Sequence, residues 1–307
     1  MVKKTAVIIV TYNGMQWIEK CISSVLNSSV ACDIIVVDNN STDSTISFIK
    51  ENFKKVVLLK QVKNLGFGAA NNIGMSYAIK SKVDYVFLLN QDAYVFNDTI
   101  QKSVEIHCSN SEFGVISPIH LNGDGSKLDK NFSSYIKVND TLFYDALKGS
   151  FSKTIYEVPF VNAAAWLIPR KTLETVGGFD PIFHHYAEDD NYCQRVIFHE
   201  FKIGIVPNTC VKHDREFRKI ETKLTRADEI ILKERKLKYK WGNINDEVRE
   251  EIENQKKYLS KLIIKLFIKL KFKKAKYYKN QLALIERIMP EIFKSRDINS
   301  KKGKHYL

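Results

Sequence analysis

Four short apolar runs constrain this chain most: "TAVIIV" at 5–10, "DIIVV" at 33–37, "KVVLL" at 55–59 and "YVFLL" at 85–89. Each is apolar almost throughout rather than at alternate positions, the pattern of a strand buried on both faces. Between them lie stretches with helical spacing. In "MQWIEKCISSVLNS" (15–28), Trp17, Ile18, Cys21, Ile22 and Val25 recur at helical intervals. "STDSTISFIKENF" (41–53) opens on Ser, Thr and Asp cap residues, and "GAANNIGMSYAIK" (68–80) reads as a third helix. Strands alternating with helices through short connections predict right-handed parallel units, hence an α/β sheet.

Sheets of this kind bind ligands just beyond the carboxyl ends of their strands. Three of the runs end there in polar clusters: Thr11-Tyr12-Asn13-Gly14, Asp38-Asn39-Asn40-Ser41 and Asn90-Gln91-Asp92. An acid after the second strand, Asp38, suits the hydroxyls of a ribose or the edge of a base, although an Asp there also caps helices. Asp92, after the fourth, is a hard carboxylate suited to Mg²⁺ or Mn²⁺ bridging a diphosphate. "NLGFGAANNIG" (64–74) carries Gly66 and Gly68 but lacks the third glycine of a dinucleotide fingerprint. Its glycines would instead let the backbone approach a nucleotide, with Asn71 and Asn72 nearby.

Further along, "VPFVNAAAWLIPRKTLETVGGFD" (158–180) reads as a strand, a short helix and a Gly-Gly turn. "EDDNYCQRVIFHEF" (188–201) reads as a helix with Glu188, Asp189 and Asp190 in its first turn. Crowded carboxylates raise one another's proton affinity, which suits a base, and acids in a first turn also simply favour the helix dipole. "KIGIVP" and "TCVKH" read as two short strands ending at His213, a metal ligand if a carboxylate such as Asp92 joins it.

Taken in order, TYNG, VVDNNSTD, NLGFGAANN, LLNQDA, VNAAAWLIPR, GGFD, EDDNYCQR and VKHDRE resemble the family-2 glycosyltransferases of the GT-A fold over roughly residues 5–215, on the rhamnosyltransferase-like branch of bacterial polysaccharide synthesis. The resemblance implies an α/β GT-A fold and an inverting enzyme. It would move a hexosyl or deoxyhexosyl group from a UDP- or dTDP-linked donor to a hydroxyl of a saccharide or lipid-linked acceptor. It implies that Thr11, Tyr12, Asn13, Asp38, Asn64, Gly66, Asn71, Asn90, Gln91 and Asp92 bind the nucleotide sugar. Asn90-Gln91-Asp92 matches the D-x-D motif in a variant whose first acid is Asn. Asp92 and His213 then hold a divalent Mg²⁺ or Mn²⁺, and Asp189, with Glu188, serves catalysis as the base. Asn162, Ala163 and Trp166 match the region near the donor sugar and acceptor. Two other readings stand beside this one: a sugar nucleotidyltransferase, and an inactive transferase fold serving as a membrane scaffold. The first wants a basic Gly-rich loop after strand one, where TYNGMQW has neither Lys nor Arg.

The net charge of +13 is unevenly spread. From Glu221 onward there are 24 Lys and Arg against 12 Asp and Glu, whereas the preceding 220 residues hold 24 against 23. A catalytic domain over 1–222 followed by a basic helical region over 223–307 is therefore expected. In 256–279, Lys257, Lys261, Lys265, Lys269 and Lys273 fall at four-residue steps, with Leu262, Ile263, Leu266, Phe267 and Leu270 on another face. This pattern predicts a basic amphipathic helix on an anionic membrane, or one packing its apolar face on the domain. No recognition module for nucleic acid accompanies it. Five scattered cysteines without a C-x-x-C pair, no signal-peptide pattern and no apolar stretch near ~20 residues predict a cytoplasmic protein, peripheral on the plasma membrane at most.

Overall fold

The computed structural model describes residues 3–215 and 226–307. Two compact units emerge, one of residues 1–220 with 302–307 and one of residues 221–301. The expected boundary near 222 falls on residues outside those described.

The apolar runs form β1 (Thr5–Thr11), β2 (Asp33–Asp38), β3 (Val57–Lys60) and β4 (Tyr85–Asn90), which pair in parallel in the order β3-β2-β1-β4. Their side chains alternate between two apolar layers, as the pleat requires. Ala6, Ile8, Ile35 and Leu88 join one layer, Val7, Ile9, Val36 and Leu89 the other. Helix α1 (Met15–Leu26) closes the second layer with Ile18, Cys21, Ile22 and Val25, alongside α2 (Thr45–Asn52). Helix α3 (Phe67–Lys80) closes the first. Gly74 allows its approach, because a Cβ there would lie 2.5 Å from Ile8 Cγ2.

Beyond β4 the sheet becomes mixed. The remaining elements are β5 (Ala93–Val95), α4 (Thr99–Ser109), β6 (Phe113–Asn122), α5 (Phe132–Ile136), α6 (Asp140–Lys148), β7 (Tyr156–Glu157), β8 (Ala165–Pro169), α7 (Arg170–Val176), α8 (Glu188–Phe198) and β9 (Lys202–His213). The full order is β3-β2-β1-β4-β8-β6-β9-β5, with β7 also on β9. β8 runs antiparallel to both β4 and β6, β9 is parallel to β6, and β5 returns antiparallel on β9. The two strands expected over 202–213 are one. Its register jumps between the Pro118–Val206 and Ile119–Cys210 pairs, where Pro118 and Pro207 withhold backbone donors from the ladder.

Residues 302–307 belong to this unit. Gly303 N donates to Thr175 O at 2.8 Å, and Gly178 N donates to His305 O at 2.8 Å.

The second unit is helical: α9 (Arg226–Gly242), α10 (Arg249–Ile268) and α11 (Phe272–Asn299), around Trp241, Ile252, Leu259, Ile285, Ile288 and Ile292. The single helix expected over 256–279 is a hairpin. α10 stops at Ile268 and Leu270 turns left-handed at φ 52°. Lys271 N then donates to Leu266 O and Leu270 N to Phe267 O, each at 2.9 Å, the paired bonds of a Schellman close. Of the apolar residues expected on one face, Leu266 is buried, while Phe267 and Leu270 are exposed. Among the described residues, no helix is long and apolar enough to cross a membrane.

Candidate active site

The parallel register brings the polar strand ends together: Thr11 lies beside Asp38 and Val10 beside Asn90. A cavity of about 760 Å³ opens there, within the range of ligand sites. Of the expected site residues, Tyr12, Asn64, Gly66, Asn90, Gln91, Asp92, Asn162, Ala163, Glu188, Asp189 and His213 line it. Thr11, Asn13, Asp38, Asn71 and Trp166 do not.

At one end Asn39 organises the wall. Its Nδ2 donates to Asn64 Oδ1 at 2.9 Å and to Gly66 O at 3.2 Å, and its Oδ1 accepts from Leu65 N at 2.8 Å. Gly66 is required there. Its φ is 82°, and a Cβ would sit 1.9 Å from His184 O. Gln91 ties β1 to β4. Its Oε1 accepts from Thr11 Oγ1 at 2.7 Å and Tyr12 N at 3.0 Å. Asp38 is fully buried behind the wall, with Oδ2 accepting from Ser41 N at 3.1 Å and Oδ1 without a hydrogen-bond partner among the described residues. Asn13, at the rim, accepts from Thr42 N at 2.8 Å and so braces the loop before α2.

Two expected contacts are ordinary structure. Trp166 is fully buried on β8, its ring 6.1 Å from that of Phe179 and 5.7 Å from that of Tyr192. Small Ala163 and Ala164 face the cavity in its neighbourhood, and the indole fills the core behind them. Asn71 is buried in α3, donating to Phe67 O at 3.0 Å.

In the middle of the cavity, β5 and β9 pair Ala93 with His213, which sets Asp92 against the imidazole. His213 Nε2 lies 3.6 Å from Asp92 Oδ1 and 3.5 Å from Asn90 Nδ2. On its other side Nδ1 lies 3.4 Å from Asp129 Oδ2. Arg215 Nε donates to Asp129 Oδ2 at 2.7 Å, and its Nη2 to Oδ1. Burial alone would push His213 down, but the Asp129 and Asp92 carboxylates raise its pKa above the ordinary value. The pairing with His213 and Arg215 holds Asp129 well below the usual carboxylate range despite its burial.

The far wall is the start of α8. Tyr186 and Ala187 enter it with φ of 66° and 71°, a backbone conformation costly for non-glycine residues. Burial raises the pKa of Asp189, and burial plus the charge of Asp189 raises Asp190 to about 7. Tyr135 faces them, pushed up to about 12 by burial and then by Asp189, with its ring edge-on to Phe160 at 5.3 Å. Asn162 Oδ1 has no hydrogen-bond partner among the described residues.

The family model of glycosyl transferase family 2 matches residues 6–177. The chain belongs to that family. As a family-2 glycosyl transferase it is 22% identical over 208 residues to the dTDP-rhamnosyl transferase RfbF of Shigella flexneri, covering 67% of each chain. It is 26% identical over 214 residues to the minor teichoic acid biosynthesis protein GgaA of Bacillus subtilis, covering 66% of this chain but 45% of that one. To the poly(ribitol-phosphate) β-N-acetylglucosaminyltransferase TarP of Staphylococcus aureus it is 27% identical over 155 residues, 46% of each chain. In structure it is similar to S. aureus TarS 1–349 with UDP at a TM-score of 0.56 and 15% identity, covering 82% of this chain and 69% of that one. It is equally similar to a Pyrobaculum calidifontis mannosyltransferase solved with GDP-mannose and Mn²⁺, at 0.56 and 17%, covering 80% and 64%. The fold is GT-A, as the order of motifs predicted, with a more mixed sheet than the strand pattern alone implied.

Several lining residues of this transferase escaped the sequence reading: Asn39, Asn131, Tyr135 and Arg215. Asn39 and Arg215 sit in segments whose importance was visible, next to Asp38 and two residues from His213. Asn131 and Tyr135 follow an irregular, turn-rich loop with no motif to mark them.

Proposed function

We propose that this family-2 transferase is an inverting enzyme that takes its sugar from a UDP- or dTDP-linked donor and works in bacterial cell-surface polysaccharide synthesis. The observation that carries the reading is that the Asp92–His213 pair and the Asp189–Asp190 pair, distant in sequence, line one cavity with the Gly66 loop. The nucleoside would lie along Tyr12, Asn64 and Gly66, with Asp38 and Thr11 supporting that end from behind. The relatives' names, a dTDP-rhamnosyl transferase and teichoic-acid enzymes, support the donor class and the polymer setting.

A divalent cation fits the residues present. Asp92 supplies an oxygen and His213 Nε2 a nitrogen, 3.6 Å apart and both buried, close enough to share one ion. Among the described residues no group of three or more Asp, Glu, His or Cys forms a cage, so further ligands would have to come from the donor. Held by Asp92 and His213, such an ion would neutralise charge growing on the leaving diphosphate. Arg215, the one Lys or Arg lining the cavity among the described residues, adds a fixed positive charge.

Asp189 accepts the proton of the acceptor hydroxyl as its oxygen bonds to the anomeric carbon. The bond from that carbon to the diphosphate oxygen breaks on the opposite face, and the configuration inverts. Asn162 and Ala163 border the reacting sugar. The test is a panel of nucleotide sugars, read by release of the nucleoside diphosphate. Asp189→Asn should lower the transfer rate about 10²–10⁴-fold, the usual worth of a general base. Wild-type transfer by that variant would remove Asp189 from the mechanism, and no release with any donor would favour the scaffold reading.

The transferase is further inferred to work peripherally at the cytoplasmic face of an anionic membrane, through the α10–α11 hairpin. Ile264, Ile268, Leu270 and Phe272 at its tip are all more than half exposed, and residues 254–285 contain ten lysines and no acid.

A further inference from the structure

Asp129 has no part in the transfer chemistry itself, yet it is one of the most committed side chains in the first unit. It is 3% exposed, and its two oxygens face the His213 imidazole and the Arg215 guanidinium. Oδ2 lies 3.4 Å from His213 Nδ1 and 2.7 Å from Arg215 Nε, and Oδ1 accepts from Arg215 Nη2 and from Asn131 N. Its backbone is fixed as well. Asp129 N donates to His120 O at 2.9 Å, and Phe132 N donates to Asp129 O at 3.0 Å. The loop from β6 to α5 thus carries one buried carboxylate to a set place behind the cavity wall.

We propose that Asp129 is the positioning residue of the cation site: it holds the His213 proton on Nδ1 and leaves the Nε2 lone pair directed toward Asp92. The proposal rests on the reading of Asp92 and His213 as the cation's ligands. An imidazole in direct contact with a cation must present an unprotonated nitrogen, and the group on its other nitrogen decides which one that is. Nε2 is the ring nitrogen that faces Asp92, at 3.6 Å, so a useful ring keeps its proton at Nδ1, where the Asp129 carboxylate stands 3.4 Å away, an approach that a small rotation of the ring turns into a hydrogen bond. The same carboxylate grips Arg215 through two donors, a geometry that fixes the guanidinium plane. One acid therefore orients a ligand to the metal and a counter-charge for the diphosphate, without touching substrate.

The experiment is Mn²⁺ titration of the full chain, followed by water-proton relaxation. Asp129→Asn keeps the shape and removes the charge. It is expected to weaken Mn²⁺ binding about 10–100-fold, the usual effect of losing such a partner. His213→Ala should weaken it at least as much. If His213→Ala weakens binding and Asp129→Asn does not, the positioning role is wrong and the metal reading stands. If His213→Ala has no effect, the metal reading fails and this proposal falls with it. Should Asp129→Asn fail to fold, the wild-type chain decides. With labelled histidine and saturating Mg²⁺, the His213 ring should carry its proton on Nδ1, and a ring protonated on Nε2 overturns the proposal.

Discussion

At the scale of single residues, the acids at the start of α8 carry the strongest electrostatic consequence. Asp189 and Asp190 both bind protons more tightly than an ordinary carboxyl, Asp190 at about 7, because burial penalises their charge and Asp190 also feels the charge of Asp189. For an acid whose folded-state pKa is raised, the folded state holds the proton better than the unfolded one. Ionising it therefore costs stability above the folded pKa, and that cost fades as pH falls toward the ordinary carboxyl range. Asp190→Asn is thus expected to raise the thermal midpoint at pH 8 by a few degrees, on the order of 1–2 kcal/mol, and to change it little at pH 4. Thermal melts at the two pH values check this; an equal shift at pH 8 and pH 4 would mean that the ionised Asp190 carboxylate is not the source of the cost. The sequence announced this cluster, because three acids in one helical turn are conspicuous. It could not announce Asp129 or Tyr135, whose role depends on where an irregular loop returns across β6 and β9. Nor could it separate Trp166, in the core, from Asn162, at the wall. The alternation along an extended segment distinguishes two faces but does not say which one is wet.

Among the elements, legibility followed how local the physics is. The strands β1, β2, β3 and β4 were read from apolar runs because burial on both faces leaves a signature inside each run. The antiparallel insertions β5, β7 and β8 are short and depend on distant partners, so the sheet was expected to be more parallel than it is. The hairpin of the second unit was missed for a specific reason. A helix usually ends on a glycine or asparagine in the left-handed region, and here Leu270 takes that position, at φ 52° and 73% exposed. With lysines and leucines running unbroken through the turn, the periodicity reads as one helix. The strained leucine gives a prediction. Leu270→Gly should stabilise the chain by roughly 1 kcal/mol, since glycine occupies this conformation without the Cβ penalty. A rise in the urea or thermal midpoint is expected, and a fall would mean that Leu270 packs in a way its exposure conceals.

For the whole molecule, charge is divided as sharply as structure. The first 220 residues are nearly neutral, and almost all of the net +13 belongs to the C-terminal remainder of the chain. Within the second unit, Glu234, Glu251 and Glu291 pair with Arg287, Lys240 and Lys238, all outside the stretch 254–285. The hairpin tip keeps its lysines without acidic neighbours in sequence, around apolar side chains exposed to solvent. A purely solubilising surface has no use for exposed Ile264, Ile268 and Phe272, whereas a lipid interface rewards both features at once. Sedimentation of the full chain with vesicles separates the contributions. Binding is expected to vesicles containing phosphatidylglycerol, to be weak with phosphatidylcholine alone, and to fall with added salt. Replacing Lys271, Lys273 and Lys274 by Gln should remove about 1 kcal/mol each, roughly a hundredfold together. Replacing Ile264, Ile268 and Phe272 by Ser should weaken binding while leaving its salt dependence intact, because the lysines remain. Equal sedimentation of wild type and both variants would assign the tip another occupant, and a concentration-dependent mass without lipid would identify that occupant as a second copy of the chain.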